Sequence, residues 1–208
     1  AHEIRNPLSS IKGFATLLGS RFQDGSQEHE AADLLVQEAE RLNRSITELL
    51  NYARPTTLNR VPLNLGELVG LSLKLVSSDA QALGVKIVLT VEDDLPTIAL
   101  DRDKINQVLL NLYLNGLQAM EDSPAEKKLS VSVRREQEML VIKISDSGRG
   151  IPPEDLDKVL DPYFTTKPEG TGLGLALAYK IIDEHKGTIG FSSADGEGTT
   201  VTVSLPLL

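Results

Sequence analysis

The sequence predicts an α+β protein in which an antiparallel helical hairpin is followed by an α/β sandwich with a mixed sheet and helices on one face. Three observations lead to this fold class. Apolar residues alternate at spacings of four and three up to residue 53, which is the pattern of a helical seam. The remainder mixes amphipathic stretches with strand-like runs, and two pairs of those runs are separated only by short turns. Strands joined in this way form hairpins, so parallel crossovers alone cannot build the sheet.

The first 55 residues predict two helices joined by a polar turn at residues 23–27. The seam of the first helix consists of Ile4, Leu8, Ile11, Ala15, Leu18 and Phe22. The seam of the second consists of Leu35, Ala39, Leu42, Ile46, Leu49 and Ala53. Pro55 is expected to end the second helix. Because each helix offers one narrow apolar stripe, the hairpin has no closed core, and we expect a homodimer in which two hairpins form a four-helix bundle.

A second domain is predicted to follow a linker. Two prolines and a lack of periodicity mark residues 54–62 as the linker, so the domains are expected at residues 1–56 and 57–208. Asn64 is a predicted helix cap, with Glu67 three residues later. The elements expected after this helix are a strand at 86–91, an extended piece at 97–100, a helix at 101–120, strands at 128–135 and 139–146, a short helix starting at 152–153, a helix at 173–186 and strands at 188–194 and 199–205.

Composition and charge exclude several classes of protein. The formal net charge of −9 repels phosphate backbones, so direct nucleic-acid binding is not expected. No apolar run reaches the eighteen residues that a membrane span needs, so no membrane contact by this fragment is expected. The absence of cysteine excludes disulfides and thiolate metal sites. The first residues lack a start methionine and a signal-peptide pattern, which indicates a piece of a longer protein.

Two glycine clusters predict a ligand site. Asp146 ends a buried strand and is followed by Gly148 and Gly150. Glycine lets the backbone approach a ligand closely, and a carboxylate can accept hydrogen bonds from an amino group such as that of adenine. A second cluster, from Gly170 to Gly174, opens a helix, where anions are favoured. Taken singly, each cluster is also typical of a turn.

Paired asparagines on the helix from residue 101 predict a metal site. Asn111 and Asn115 are four residues apart and share a face with Gln107 and Gln118. Amide oxygens at this spacing can hold a largely hydrated Mg²⁺ that also binds substrate phosphates. The alternative interpretation is an ordinary polar face toward solvent. The occurrence of this pair with both glycine clusters in one domain favours a nucleotide site.

The chain contains three histidines, and one of them has a suggestive setting. His2 lies two residues before Ile4, about 200° around a helix, so it is expected to point away from the seam into solvent. Asn6, four residues later, shares its face. By position alone His2 is most simply a surface histidine near a chain end. His29, near the hairpin turn, and His185, near a helix end where a cation suits the helix dipole, are expected to be solvated too.

Five stretches in family order resemble the sequence boxes of two-component sensor histidine kinases. They resemble the phosphoacceptor, N, first glycine, F and second glycine boxes of that family and are, in this order, residues 2–8, 111–115, 146–151, 163–167 and 170–175. Together they cover nearly the whole chain. The amino-acid sequences of the boxes are most similar to those of the nitrogen-regulation type of sensor kinase, which includes the zinc-resistance and acetoacetate sensors.

This resemblance implies a Bergerat-type ATP-binding domain that uses ATP and Mg²⁺. Asp146, with Gly148 and Gly150, would recognise adenine, and Asn111 and Asn115 would position Mg²⁺. A lid from residue 160 to 174 would close over the phosphates. The lid residues implied in nucleotide binding are Thr166, Lys167, Gly170, Thr171, Gly172, Leu173 and Gly174.

The resemblance also implies a reaction. His2 would attack the γ-phosphate of ATP, while Glu3 would orient the imidazole and take its proton. Asn6 occupies the position that the family uses to orient a water, which implies phosphatase activity toward the partner. The implied function is autophosphorylation and phosphoryl transfer to an aspartate in the receiver domain of a response regulator, of the enhancer-binding transcription activator class. The fragment would be the cytoplasmic portion of a membrane-anchored bacterial sensor.

Two residues depart from the family pattern. Gly116 stands where alanine is usual, which costs about 1 kcal/mol in a helix unless close packing requires it. Gln118 stands at a position that is often basic in the family.

The competing functions are a dimeric ATP-binding module and a Bergerat-fold ATPase without phosphotransfer. Such ATPases use a glutamate to activate water where this chain has Asn111, so water is expected to be a poor acceptor here.

Overall fold

The computed structural model describes residues 2–53, 57–123, 126–167 and 170–207, without the side chains of residues 2–5, 48 and 51. The chain forms two compact units. The first comprises Ala1–Pro55 and Thr165–Leu173, and the second comprises Thr56–Phe164 and Gly174–Leu208. Within the described ranges, every helix is too short or too polar to cross a membrane.

The predicted fold class is confirmed: a helical part precedes an α/β domain. The elements in chain order are α1 (His2–Gly19), α2 (Gln27–Ala53), β1 (Val61–Leu63), α3 (Leu65–Leu75), α4 (Ser77–Ala82), β2 (Lys86–Val91), β3 (Ile98–Leu100), α5 (Arg102–Ala119), β4 (Lys128–Glu136), β5 (Met139–Asp146), α6 (Pro153–Leu156), α7 (Gly174–Glu184), β6 (Thr188–Ala194) and β7 (Gly198–Pro206).

Helices α1 and α2 form an antiparallel hairpin, as predicted. Lys12 Nζ lies 2.6 Å from Glu40 Oε1, and Gly19 approaches Ala32 so closely that a Cβ on Gly19 would stand 3.2 Å from the alanine Cβ. The buried apolar residues of the hairpin are small. Large apolar side chains of the hairpin remain exposed, and they are Ile11, Phe14, Leu17, Leu18, Phe22, Leu34, Leu35, Leu42 and Leu49. A single hairpin therefore leaves its apolar face uncovered.

The first helix is shorter than the seam predicted. Helix α1 ends at Gly19, and Phe22 lies in the connection to α2. The N–H groups of Arg21 and Phe22 donate to the carbonyls of Leu18 and Gly19, three residues earlier, at 3.0 Å. Such bonds tighten a last turn and end the α-helix. The predicted stop at Pro55 lies outside the described residues.

The second unit is built on a mixed five-stranded sheet with the order β2-β4-β5-β7-β6. Strands β2 and β4 are parallel, and the other neighbours are antiparallel. Helix α5 contacts β4, β5 and β7, while α7 contacts α5 and β6. On β4, the buried side chains of Leu129, Val131 and Val133 alternate with less buried ones. The predicted layer of helices over a mixed sheet is thus observed.

The start of this unit differs from the prediction. Residues 61–62 were predicted as linker but belong to β1, which pairs with β3 so that Val61 faces Leu100. A three-residue strand that contains a proline is too short to give a strand pattern in sequence. The six-residue helix α4 was not predicted either. The predicted cap at Asn64 is confirmed, since its Oδ1 accepts a hydrogen bond from Glu67 N at 3.0 Å.

The prediction for His185 is wrong, because this side chain is buried rather than solvated. It is 1% exposed. Its Nδ1 donates to Ile181 O at 2.8 Å, and its Nε2 accepts from Asp101 N at 3.0 Å. The ring is therefore neutral, and burial lowers the pKa of His185. His29 lies at the hairpin turn as predicted, but it is only partly exposed, with its Nδ1 3.0 Å from Gly19 O.

Candidate functional site

Asp146 lies at the end of β5, where the sequence predicted a ligand-binding carboxylate. Its Oδ1 accepts hydrogen bonds from the N–H groups of Gly148 at 2.9 Å and Thr199 at 3.3 Å. Among the described residues, none donates a hydrogen bond to Oδ2, which lies beside Gly116 on α5. Burial raises the pKa of Asp146, although the backbone N–H groups act in the opposite direction. The carboxylate is thus fixed through one oxygen, and the other remains as an acceptor.

Gly116 is explained by close packing between α5 and the sheet. A Cβ at this position would stand 3.2 Å from Leu129 Cδ1 and 3.4 Å from Asp146 Cβ. An alanine would fit only if these neighbours moved by a few tenths of an ångström. Glycine at this helix-interior position therefore allows α5 to pass directly beside the carboxylate.

The two glycines after Asp146 are required by packing within the protein. A Cβ on Gly148 would stand 2.6 Å from Ala119 O, at the end of α5. Gly150 has a φ of 75°, and a Cβ there would collide with Ala194 O, at the end of β6. The sequence pattern predicted a close approach of the backbone to a ligand. Within the protein, the glycines let the loop approach α5 and β6, and this packing holds the loop beside Asp146.

Sequence reasoning missed the contribution of the turn before β7. Residues 195–198 were predicted only as a turn, yet Thr199 N holds the Asp146 carboxylate. Gly198 has a φ of 84°, and a Cβ there would collide with Asp146 O. The available signal was a further glycine pair, Gly196 and Gly198, directly before the predicted strand at 199–205.

Asn111 and Asn115 share one face of α5, as predicted, and both are half-buried. Asn111 Nδ2 donates to Gly174 O, the first residue of α7, at 3.0 Å. This bond fixes the amide, and no donor among the described residues occupies its Oδ1. In the part of the chain that the structure describes, no group of three or more His, Cys, Asp or Glu side chains could hold a metal ion. Two neutral amide oxygens fit a hydrated Mg²⁺ whose remaining ligands come from a phosphate-bearing substrate.

The predicted lid includes Thr165–Leu173, which belongs to the first unit. Lys167 N donates to Thr165 Oγ1 at 3.1 Å, and Gly170 N donates to Lys167 O at 3.1 Å. Gly170 packs against Thr165 Oγ1, and Gly172 has a φ of 68°. Leu173 N lies 3.4 Å from Thr171 Oγ1, which accepts its hydrogen bond. Thr166 is exposed, and residues 168–169 lie outside the described ranges. The two glycines are thus needed for the conformation of this loop.

The predicted catalytic residues lie in the first turns of α1. Helix α1 begins at His2, but the side chains of His2 and Glu3 lie outside the described residues. Asn6 is exposed, and its backbone carbonyl accepts from Ser10 Oγ at 3.2 Å. An exposed Asn6 fits the prediction that this helix face points into solvent.

Comparison with known families identifies both parts of the chain. Residues 100–208 match the family described as "Histidine kinase-, DNA gyrase B-, and HSP90-like ATPase". Residues 1–58 match the "His Kinase A (phospho-acceptor) domain". The chain belongs to the sensor histidine kinases. The resemblance of the five sequence boxes is thereby confirmed at the level of the family.

Curated sensor histidine kinases align along the whole chain. The chain is 45% identical over 207 residues to the sensor histidine kinase ZraS of Escherichia coli (strain K12), covering 100% of this chain and 44% of ZraS. It is 35% identical over 208 residues to the signal transduction histidine-protein kinase AtoS of the same strain, covering 100% of this chain and 34% of AtoS. The chain thus spans less than half the length of these relatives.

Two solved structures share the fold. The crystal structure of full-length ShkA in complex with AMPPNP matches with a TM-score of 0.80 at 23% identity, over 99% of this chain and 44% of ShkA. The histidine kinase ThkA, in complex with the response regulator protein TrrA, matches with a TM-score of 0.75 at 27% identity, over 100% of this chain and 60% of the matched chain.

Proposed function

We propose that this chain phosphorylates its own His2 with ATP and passes the phosphoryl group to an aspartate in the receiver domain of a response regulator. Residues 1–56 would carry the phosphoacceptor and dimerise, and residues 57–208 would bind ATP. The observation that carries the proposal is the carboxylate of Asp146, which is fixed through Oδ1 and leaves Oδ2 as an acceptor. Family membership over both parts of the chain supports it.

Asp146 is proposed to select adenine. An ionised carboxylate oxygen accepts hydrogen bonds and donates none, so it favours a base that presents an amino group. Adenine presents one at C6, where guanine has a carbonyl. Gly148 and Gly150 serve the site indirectly, because they allow the loop after β5 to pack against α5 and β6.

The asparagines and the glycine-rich loop are proposed to bind the phosphate end. Asn111 and Asn115 would hold Mg²⁺ through their amide oxygens, together with waters and the nucleotide phosphates. When bound there, the ion would neutralise charge on the phosphoryl group during transfer. The proposed phosphate-binding residues of the loop are Thr166, Lys167, Gly170, Thr171, Gly172, Leu173 and Gly174.

The transfer itself needs a neutral imidazole nitrogen on His2 as the nucleophile. A nitrogen–phosphorus bond forms, and the bond from the γ-phosphorus to the ADP oxygen breaks. Glu3 accepts the proton that the imidazole loses. In the second step, an aspartate oxygen of the regulator takes the phosphoryl group from His2. Asn6 is proposed to orient a water that removes the phosphoryl group from the regulator.

The exposed apolar face of the hairpin supports a homodimer, in which two hairpins would form a four-helix bundle. The solved complex of ThkA with the response regulator TrrA supports a regulator as the partner. Similarity to the nitrogen-regulation type of sensor supports an enhancer-binding transcription activator as that regulator. We propose further that the chain is the cytoplasmic portion of a membrane-anchored bacterial sensor.

An ATPase without phosphotransfer is less well supported. Such an enzyme needs a general base for water at the start of the N box, and Asn111 stands there. Its Nδ2 already donates to Gly174 O, and an amide cannot accept a proton from water at neutral pH.

Labelling with [γ-³²P]ATP and Mg²⁺ tests the proposal. The chain should acquire a label that is stable to alkali and lost in acid, and the His2→Gln variant should acquire none. His29→Gln is the matched control, because it removes a histidine of the same hairpin at its turn and should label normally. Labelling of the His2→Gln variant would refute the assignment of the phosphoacceptor. ATP binding without any label would indicate a binding module.

A further inference from the structure

Ser193 on β6 has a hydroxyl group whose hydrogen-bonding capacity is fully used. Its Oγ accepts from Ile151 N at 2.8 Å and donates to Gly198 O at 2.7 Å. It also lies 3.0 Å from Thr199 Oγ1. A serine hydroxyl has one hydrogen and can accept two bonds. Because its hydrogen goes to Gly198 O, the Thr199 hydroxyl must donate to Ser193, and all three positions are filled.

These three bonds join two segments that form the Asp146 site. Ile151 ends the glycine loop that follows Asp146, whereas Gly198 and Thr199 begin β7. The same two segments also meet where Gly196 N donates to Arg149 O at 2.7 Å. Of these bonds between the segments, those of Ser193 are the ones that a side-chain substitution can remove.

The link to Asp146 runs through Thr199. Thr199 N is one of two donors to Asp146 Oδ1, and at 3.3 Å its bond is longer than the 2.9 Å bond from Gly148. Removal of the Ser193 hydroxyl would leave Ile151 N, Gly198 O and the Thr199 hydroxyl without their partner. The start of β7 would then be held less firmly, and the longer bond to Asp146 is the first that would weaken.

We propose that Ser193 is a positioning residue for adenine recognition: its hydroxyl locks the start of β7 to the glycine loop, so that Thr199 N fixes the orientation of the Asp146 carboxylate. The inference rests on the proposed role of Asp146 in binding the base. Ser193 touches no nucleotide in this scheme. It acts by holding Oδ2 of Asp146 toward the exocyclic amine, which distinguishes adenine from guanine.

Calorimetry with non-hydrolysable ATP and GTP analogues tests the proposal on the 208-residue chain. Ser193→Ala should weaken ATP-analogue binding about tenfold, the loss expected for a disturbed hydrogen bond to a charged group. It should reduce the preference for the ATP analogue over the GTP analogue by a similar factor, since GTP cannot use the carboxylate in the same way. Ser193→Thr, which keeps the hydroxyl, should retain most of the preference. Ser192→Ala is the matched control on the exposed face of the same strand and should change neither affinity.

Equal weakening of both analogues would overturn the proposal, because a general structural role predicts that result. Unchanged ATP-analogue affinity in folded Ser193→Ala would overturn it as well. If Ser193→Ala does not fold, Thr199→Val is tested in its place, because it removes the hydroxyl that donates to Ser193 and keeps the backbone N–H. An unchanged preference of that variant for the ATP analogue over the GTP analogue would also overturn the proposal. An Asp146→Asn variant is measured in parallel. Should it bind the ATP analogue normally, the adenine site itself is refuted, whereas weak binding by Asp146→Asn with normal Ser193→Ala refutes the role of Ser193 alone.

Discussion

Replacement of Asp146 by asparagine should separate nucleotide binding from stability. The two side chains have the same shape, but the amide offers one acceptor and one donor where the carboxylate offers two acceptors. Two backbone N–H groups point at Oδ1, so the amide oxygen must take that position. The NH₂ group then occupies the position of Oδ2 and meets the amino group of the base with a second donor.

The expected loss follows from this conflict. A hydrogen bond to a charged acceptor contributes about 1.5–3 kcal/mol, so the dissociation constant for ATP should rise by about ten- to a hundredfold. In the absence of nucleotide, the folded state of the variant should become more stable rather than less stable. Burial raises the pKa of Asp146, so above that pKa the ionised carboxylate disfavours the folded state. A neutral amide removes this cost, and the variant should unfold at the same or a higher temperature.

Isothermal titration calorimetry with a non-hydrolysable ATP analogue and thermal unfolding of the nucleotide-free protein measure the two quantities. Asp195→Asn is the matched control, because it removes the same charge from an exposed position in the turn between β6 and β7 and should alter neither. Unchanged ATP affinity would refute the assignment of Asp146 to the base. A parallel fall in affinity and unfolding temperature would show that the carboxylate mainly supports the fold.

Two further predictions concern the buried histidine and the hairpin. The pKa of His185 is lower in the folded state than in the unfolded state, where it is about 6.5. Below pH 6.5 the unfolded state therefore binds more protons than the folded state. The free energy of unfolding should fall as the pH drops from 6.5 toward the folded pKa. Urea unfolding between pH 7.5 and 5.5 measures this slope, which should be smaller in His185→Gln. Leu35→Glu, on the exposed apolar face of α2, should change the species seen in sedimentation from dimer to monomer. Leu71→Glu is the control, because it places the same charge at an exposed leucine of α3 and should leave the dimer intact. A dimeric Leu35→Glu variant would contradict the predicted bundle.

Elements with a clear period were predictable from sequence. The strand alternation of β4, the apolar run of β5 and the cap of Asn64 are local signals, and the structure has them where they were expected. The short strand β1 and helix α4 carry too few residues to show a period. Local pattern therefore predicted the long elements, and β3 and α6 among the short ones, but it missed β1 and α4.

Features that depend on distant residues were not predictable. His185 is buried because its ring accepts from Asp101 N, 84 residues earlier in the chain, and no local pattern reports such a partner. Burial on its own would raise the pKa of Asp101, but backbone N–H groups, first among them that of Asn59, hold it below its ordinary value. The glycines after Asp146 were predicted to approach a ligand, and no local pattern indicated that the backbones they approach within the protein belong to α5 and β6.

Helix α5 fixes the distance between two parts of the proposed nucleotide site. It carries Asn111, and five residues later Gly116 lies directly against Asp146. At 1.5 Å per residue, one rigid rod separates these two levels by about 7.5 Å. If Asp146 binds the base and Asn111 the phosphate end, as proposed, the helix sets the distance between these two contacts. Because a helix does not stretch, a nucleotide bound as proposed would have to match this fixed interval.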